Sequence, residues 1–428
     1  MKKVVALLIW LVSAGAGRAQ TTGLPLTLAD CQARAQQNYP LIKQRALIQK
    51  TRDYSMANAA TGYLPQVSIS GQATYQNEVV NFSGVLPAGS PLGDALPKLS
   101  KDQYRISGQV DQVLYDGGGI NYTRQVRQAD ADAQEKSLDV SLYALRERVN
   151  QLFFGILLVE EQLKQTALRR ADIQSGVDKT QAQLANGVAF RSSLNELKAE
   201  LVGVDQSVTN LRAIRRAYAA MLGLLINQPL DEQTPLARPR PVAALTPQIN
   251  RPELGLYDAQ KRTFDAQEHQ LAAAYRPKFS AFFQENYGRP TFNFLSNQFD
   301  FFWIGGLRLS WNLSSLYTTH RHDVQLLGLS RQNVDVQRET FLFNTGLTLA
   351  QQSADVQRYQ ELIAQDEQMV ALRAAVKTSA SAQLQNGVIT SHDYVVQVNN
   401  ESEARQALVL HQLQLLQTQY NQQTTSGN

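Results

Sequence analysis

Few residues of this 428-residue chain have the types and spacing that chemistry requires. His320, Arg321 and His322 form an H-x-H pattern, but metal binding needs further ligands, and the neighbouring sequence offers none. Asp116 precedes three glycines, yet no lysine and Ser/Thr follow in the order of a phosphate-binding loop. Asp116 is therefore expected to be the N-cap residue of a helix after a strand-to-helix turn. With five scattered histidines and no convergent nucleophile and base, the sequence predicts no enzyme and no cofactor.

The N-terminal segment predicts export from the cytoplasm. The first residues read MKKVVALLIWLVSAGAGRAQ, a basic start, a short apolar run and small residues before a cut after Ala19. Removal of residues 1–19 lowers the formal net charge from +4 to +1, so the basic pI gives no support to a nucleic-acid partner. The one cysteine, Cys31, excludes an intrachain disulfide framework and is expected to be a small buried residue of the first helix.

Two long tracts without proline predict long helices. Proline is absent between Pro97 and Pro229 and again after Pro290, and a proline inside a helix costs about 3 kcal/mol. Apolar residues in these tracts recur at alternating steps of three and four, which is the seam of helices that pack nearly parallel. In the first half the seam residues are Leu138, Leu142, Leu145, Val149, Leu152, Ile156, Val159 and Leu163, then Leu194, Leu197, Leu201, Val204, Val208, Leu211, Arg215, Tyr218, Leu222 and Leu225. In the second half the seam is more polar and includes Asp366 and His411.

A short motif occurs twice, exactly where each long tract must reverse. AQLANGV ends at Val188 and AQLQNGV ends at Val388. Asn-Gly tolerates left-handed backbone and commonly ends a helix. Each motif is therefore predicted to be the tip of a helical hairpin. The tip residues are Asn186, Gly187 and Val188 in the first hairpin and Asn386, Gly387 and Val388 in the second.

Four segments alternate with period two and predict two pairs of strands. The segments begin near Gln66, Tyr104, Phe279 and Trp303. One face of each is mainly apolar, although Glu285 interrupts the third. The opposite face is polar and includes Arg105, Asp111 and Arg308.

The order of these segments indicates an internal duplication. A helix, two strands and a helical hairpin occupy residues 20–226. A proline-rich linker spans residues 227–252, and the same order of elements returns in residues 253–428. The predicted fold class is thus mainly α, with four β-strands in each protomer.

A sheet with one apolar face either covers a protein core or faces lipid. The long, narrow helices offer little core, and aromatic residues cluster near the strand ends, as in transmembrane barrels. Because an open sheet edge is not tolerated in lipid and four strands cannot close a barrel, copies of the chain are expected to share one. On this interpretation Arg105, Asp111 and Arg308 line the lumen; in a soluble sheet they are merely exposed.

The chain resembles the TolC-like outer membrane efflux protein family over essentially its whole mature length. The markers, which are degenerate singly but specific in their order, are LTLADCQARAQQNYPLI at 26–42, YLPQ at 63–66, QVLYDGGG at 112–119 and the two NGV tips. The resemblance implies a homotrimer in which each protomer gives four strands to a twelve-stranded outer-membrane barrel and long helices to a periplasmic tunnel. It also implies a passive exit duct for drugs, small toxic molecules or proteins, with a periplasmic adaptor and an inner-membrane transporter of unknown class as partners.

The resemblance also assigns roles near the tips. The two tips would form the closed periplasmic end, where adaptors dock. Asp393 matches the first of two aspartates that ring the entrance in this family, whereas Val396 stands at the second position and Ser193 at the matching position of the first hairpin. Asp393 is either a gate residue or an ordinary acid favoured near a helix start.

A second class of function stays open. A periplasmic coiled-coil adaptor or scaffold without a channel could also contain long helices. Such a protein needs no lipid-facing strands and should be soluble without detergent.

Overall fold

The computed structural model describes residues 25–80, 99–242, 248–293, 296–313 and 318–428. The predicted signal segment, residues 1–19, lies outside the described residues. The helices are α1 (Leu28–Asn38), α2 (Lys43–Ala60), α3 (Gly119–Tyr143), α4 (Leu145–Ala185), α5 (Arg191–Ile226), α6 (Pro252–Ala274), α7 (Thr318–Gln385) and α8 (Ser391–Ser426). The strands are β1 (Gln66–Tyr75), β2 (Asp102–Tyr115), β3 (Lys278–Arg289) and β4 (Asp300–Ser310). The predicted mainly α fold with four strands is confirmed.

The four strands form one antiparallel sheet in the order β1-β2-β3-β4. Gln66 of β1 lies opposite Asp111 of β2, and Lys278 of β3 lies opposite Ser310 of β4. The central pair, β2 with β3, joins strands from the two halves of the sequence, as where Ser107 faces Asn286. In the sheet as described, β1 and β4 each pair on one side only, so a single chain does not close it.

A β-bulge changes the predicted face of the residues at the end of β2. Strict alternation predicts that Leu114 shares the apolar face with Val110. The register instead places Val113 opposite Ser280 and Tyr115 opposite Phe279, which leaves Leu114 as the extra residue. A bulge inserts one residue without a partner, so Tyr115 and not Leu114 continues the apolar face.

The helices form where heptad spacing and the absence of proline predict them. Seam residues of the first half, such as Leu138, Val149, Ile156, Leu197 and Leu222, are buried. In the second half α7 runs for 68 residues, and its seam is only half-buried. None of the described helices combines the length and the apolar character that a membrane span requires.

One interruption divides the first long helical tract. α3 ends at Tyr143 and α4 begins at Leu145. Ala144 keeps a right-handed helical backbone, and its N–H still bonds to the Val140 carbonyl at 3.2 Å. The regular helix is therefore interrupted at Ala144 alone, and the chain does not reverse there.

The described chain divides into two compact units, each drawn from both halves of the sequence. The first unit contains both hairpin tips and comprises residues 25–35, 149–241 and 363–416. A core cluster that includes Ile173, Leu197, Tyr394 and Val398 packs near its tips, and Cys31 is fully buried in this unit. Burial raises the pKa of the Cys31 thiol to about 12.

The second unit contains the sheet. Its described residues lie within 36–148, 242–362 and 417–428. A core cluster packs Ile48 of α2 against Ala131, Leu138 and Leu142 of α3 and Leu145 of α4.

Candidate functional site

The polar face of the sheet brings two of the three predicted charged residues together. Arg308 Nη1 lies 3.2 Å from Asp111 Oδ1, and its guanidinium stacks 4.7 Å from the ring centroid of Phe282. Gln109 Nε2 also donates to Asp111 Oδ2. Arg105 does not join this pair and lies instead 5.7 Å from the ring of Phe302. The face therefore presents both signs of charge.

Neutral side chains continue this polar face. Ser107 and Asn286, opposite each other in the register, are both buried, and Ser107 Oγ donates to Asn286 Oδ1 at 2.6 Å. Gln284 Nε2 donates to the same oxygen at 3.1 Å. Buried polar groups are tolerated when they are hydrogen-bonded, so this part of the face is an ordered network.

The opposite face of the sheet is apolar and exposed. Ile69 is 80% exposed and Leu307 78% exposed. Further exposed residues on this face are Val67, Ile106, Val110, Phe283, Tyr287, Phe301, Trp303 and Leu309. Soluble monomers rarely expose a contiguous apolar patch larger than a few hundred Å², so this face indicates contact with an apolar phase.

Aromatic residues border the apolar face at both ends of the sheet. Tyr287 and Phe301 meet at one end, with ring centroids 4.7 Å apart. Tyr115 and Phe279 meet at the other, 6.3 Å apart. Residues 279 and 287 are separated by about 26 Å of extended strand, which a strand tilt of about 40° reduces to about 20 Å of height. Transmembrane barrels have an apolar band of about 25 Å between aromatic girdles, so these two rows lie about 5 Å closer together than typical girdles.

Glu285 is the exception on the apolar face. The register places it between Gly108 of β2 and Trp303 of β4, with Phe283 and Tyr287 two residues away on either side. Its side chain is exposed. A carboxylate at this position opposes contact with lipid.

Both hairpin tips have the same backbone geometry. Gly187 and Gly387 adopt φ values of +73° and +69°, which favour glycine. The N–H of Gly187 bonds to the Leu184 carbonyl at 3.0 Å, and the N–H of Val188 bonds to the Gln183 carbonyl at 2.9 Å. The second tip repeats this pattern. These paired bonds are the Schellman motif, which the Asn-Gly-Val sequence predicts.

The two tips differ one residue before the returning helix. Phe190 precedes α5 and is 79% exposed, with no side-chain cap. Thr390 precedes α8 and accepts a hydrogen bond from the Asp393 N–H at 3.2 Å. Asp393 Oδ2 in turn accepts from the Thr390 N–H at 3.1 Å and the Thr390 hydroxyl at 2.7 Å. This is a capping box, and the T-x-x-D sequence could have indicated it.

Asp393 therefore has a structural role at the start of α8. The hydrogen bonds from Thr390 hold the pKa of Asp393 below its ordinary value. Its side chain is nevertheless exposed, and Asp393 lines a cavity of about 370 Å³ with Val376, Ala380 and Ile389. Capping occupies one carboxylate oxygen and leaves the other free to attract a cation.

Polar contacts tie the first hairpin to the second near the tips. Gln183 Nε2 donates to the carbonyls of Leu384 and Gln385 at 2.7 and 3.2 Å, which satisfies the end of α7. His392 Nδ1 lies 2.9 Å from Glu196 Oε1. The hairpins are thus linked by side chains as well as by apolar packing.

A chain of charges, which sequence reasoning missed, lies farther from the tips. Lys377 Nζ lies 2.9 Å from Asp172 Oδ2 and 3.6 Å from Glu401 Oε2, and Arg405 also pairs with Glu401. Tyr394 donates to the Asp172 carbonyl at 3.1 Å. These residues come from α4, α7 and α8, and the side chain of Glu401 is only 4% exposed. Nothing in the spacing of Asp172 and Lys377, 205 residues apart, could have predicted the pair.

The strand-to-helix turn differs from the expectation for Asp116. Gly118, in a left-handed conformation, occupies the N-cap position of α3. Asp116, two residues earlier, accepts hydrogen bonds from the N–H groups of Gly118 and Ile120. The Asp116 carboxylate thus caps the start of α3 although Asp116 lies two residues before the N-cap position. It reaches the helix because Gly117 and Gly118, both left-handed, fold the turn back.

The H-x-H pattern does not form a metal site among the described residues. His320 packs 4.7 Å from the ring of Tyr275, and within the described ranges no cluster of metal-ligating residues occurs.

Solved structures of outer membrane channels resemble this chain over nearly its full length. The outer membrane protein VceC of Vibrio cholerae matches with a TM-score of 0.65 and 14% identity, over 94% of this chain and 96% of that chain. CusC, whose structures concern folding and transmembrane channel formation, matches with a TM-score of 0.68 and 13% identity, over 93% and 91%.

The open state of the Neisseria gonorrhoeae MtrE outer membrane channel matches with a TM-score of 0.64 and 14% identity, over 94% of this chain and 89% of that chain. No protein-family model and no curated protein matches the chain. At these identities the likeness concerns the fold, and the chain has the fold of TolC-like outer membrane channels, as the sequence resemblance predicted.

Proposed function

We propose that the chain is the outer-membrane exit duct of a tripartite efflux or type I secretion system. The observation that carries this proposal is the sheet, which has an exposed apolar face bordered by aromatic rows, a polar face with paired charges, and two edges with one open side each. Within lipid such edges must be paired. Three copies, each giving four strands, would close a twelve-stranded barrel in the outer membrane.

The polar face of the sheet then lines the lumen. Arg308 and Asp111 form a pair there, and Arg105 adds a further cation. Mixed charges suit a duct that passes diverse solutes, since single-sign rings select ions by charge. Transport is downhill and involves no chemical step or cofactor.

The tips are the proposed contact with a periplasmic adaptor and, through it, an inner-membrane transporter. Val188, Phe190 and Val388 are exposed in short turns that are held rigid by backbone hydrogen bonds. Exposed aromatic anchors on a rigid support are typical of binding hot spots. The helical parts would accordingly lie in the periplasm, with the adaptor docked at their tips.

Single-channel recording in planar bilayers tests the proposal. The purified protein should insert and give discrete conductance steps. If Asp393 also lines the entrance, Asp393→Ala should reduce cation preference. Thr390→Ala is the matched control, because it removes the cap but keeps the carboxylate.

Two outcomes would count against parts of this account. Protein that stays soluble without detergent and never inserts would favour the coiled-coil adaptor or scaffold. Equal cation preference in wild type, Asp393→Ala and Thr390→Ala would leave the duct intact but remove Asp393 as a gate residue.

A further inference from the structure

The second unit contains a cavity that neither the sheet nor the tips explain. Its volume is about 600 Å³, within the range of about 300–1,000 Å³ that small-molecule sites occupy. The end of α1 contributes to it, together with α2, α3, α4 and the start of α6. The lining residues are Gln36, Gln37, Ile42, Arg45, Asp139, Leu142, Tyr143, Arg146, Asn250 and Pro252.

The lining combines an apolar surface with a few polar groups. Ile42, Leu142, Pro252 and the ring of Tyr143 are apolar, and the amide side chains of Gln36, Gln37 and Asn250 add hydrogen-bonding groups. Ligand sites commonly have this composition, in which apolar walls supply contact area and a few polar groups fix orientation.

Positive charge exceeds negative charge at this cavity. Asp139 is the one carboxylate among the lining residues, and it is shared by Arg45 at 2.6 Å and Lys136 at 3.6 Å. Among the described residues no carboxylate pairs with Arg146, whose buried Nε also lacks a hydrogen-bond partner. Arg146 therefore carries the positive charge at this cavity that no described carboxylate neutralises.

The Arg146 guanidinium is held in place by an aromatic ring. It lies 4.9 Å from the ring centroid of Tyr143, and Arg251 lies at the same distance from that ring. The Tyr143 hydroxyl donates to the Thr424 carbonyl at 2.8 Å, which fixes the ring. A guanidinium that is already oriented loses less entropy when it binds an anion.

We propose that this cavity binds a small molecule that joins one carboxylate to a flat apolar body, with the carboxylate on Arg146. The planar guanidinium matches a carboxylate with two parallel hydrogen bonds. The apolar body lies against Ile42, Leu142 and Pro252. The site stands on helices outside the sheet and does not depend on membrane insertion.

Calorimetric titration of the purified full-length protein with benzoate tests the site. Benzoate carries the carboxylate and a flat ring, and it is small enough to avoid partitioning into detergent micelles. Arg146→Gln should weaken binding about tenfold or more, since the charge-assisted hydrogen bonds are lost. Arg148→Gln is the matched control, because Arg148 is exposed two residues away and does not line the cavity; it should bind benzoate as the wild type does.

Neutral benzamide provides a comparison on the wild-type protein alone and does not depend on the folding of a variant. It should bind about tenfold more weakly than benzoate if a cation holds the carboxylate. Equal binding of benzoate and benzamide, equal binding by wild type and Arg146→Gln, or no binding by the wild type would each overturn the proposal.

Discussion

Arg215 shows at the scale of one residue how the helices accommodate charge. The heptad pattern marks it as the one polar member of its seam, and its side chain is buried. Its guanidinium contacts Glu160 Oε1 at 2.6 Å and the Asp231 carbonyl at 3.1 Å. Spacing predicts that position 215 faces the core. It cannot predict Glu160, 55 residues away, because that contact depends on how α4 packs against α5.

Replacement of Arg215 should destabilise the first unit strongly. Arg215→Met leaves Glu160 without its cation and removes the guanidinium donors to the Asp231 and Thr234 carbonyls, a loss of about 3–5 kcal/mol. Arg216→Met is the control, since Arg216 is exposed and its pair with Glu232 is longer, at 3.4 Å; exposed pairs contribute about 0–1 kcal/mol. Urea unfolding followed by helical circular dichroism measures both, and equal losses would show that the buried contacts do not stabilise the fold.

The capping box at Thr390 should control local stability at the start of α8. Loss of an N-cap side chain costs about 1 kcal/mol, so Thr390→Ala should speed amide hydrogen exchange in the first turn about fivefold. Ser193→Ala, at the position of the first hairpin that matches Asp393, should leave the first turn of α5 unchanged because no side chain caps that helix. Unchanged exchange in Thr390→Ala would mean that the box does not stabilise the helix.

The same box predicts a dependence on pH. The pKa of Asp393 is lower in the folded chain than its ordinary value because Thr390 donates to its carboxylate. The stabilisation is therefore complete above the ordinary pKa of about 3.9 and is lost as pH falls through the lower folded value. Hydrogen exchange, corrected for intrinsic rates, should show this loss in the wild type and not in Asp393→Asn.

At the scale of elements, periodicity predicts whether a segment is a strand or a helix. It does not always predict which face a residue lies on or which residue of another element it contacts. The NGV tips form the turns that their glycines predict. Alternation places Arg105 and Asp111 on one face, but it fails at Leu114 because a bulge depends on the partner strand. The polar seam positions Asp366 and His411 meet each other at 2.5 Å across α7 and α8, which a single-helix pattern does not reveal.

Glu285 provides a test of the apolar face as one element. If this face contacts lipid, Glu285→Leu should stabilise the folded protein by about 1 kcal/mol, since acidic residues on a lipid face cost less than basic ones. Gln284→Leu, one residue away on the polar face, should give no gain and disturb the bond to Asn286. The temperature at which the oligomer dissociates on denaturing gels measures both. A loss of stability in Glu285→Leu would contradict lipid contact.

At the scale of the whole molecule, the sequence predicts the inventory of elements better than their pairing. Two strand pairs follow from alternation, but the junction of β2 with β3 joins residues about 180 positions apart, as Ser107 and Asn286 show. We propose that residues 20–226 and 253–428 are two copies of one ancestral unit joined by the linker 227–252. Each compact unit draws on both halves, so such copies would be interleaved.

Cysteine cross-linking between strand edges is the measurement that tests the central claim, a barrel shared by copies of the chain, most directly. Introduced cysteines react cleanly because the one native cysteine, Cys31, is fully buried. Ser70→Cys on β1 is combined in turn with Ile304→Cys, Gly306→Cys and Arg308→Cys on β4, all on the polar face. The series covers the unknown register between copies.

Oxidation in membranes should give, for at least one pair, cross-linked dimers and trimers and no larger species. The products are separated on a non-reducing denaturing gel, on which each single-cysteine variant should run as a monomer. Monomer alone from every pair of a folded, membrane-bound protein, or a ladder that extends beyond three copies, would contradict a barrel closed by three chains.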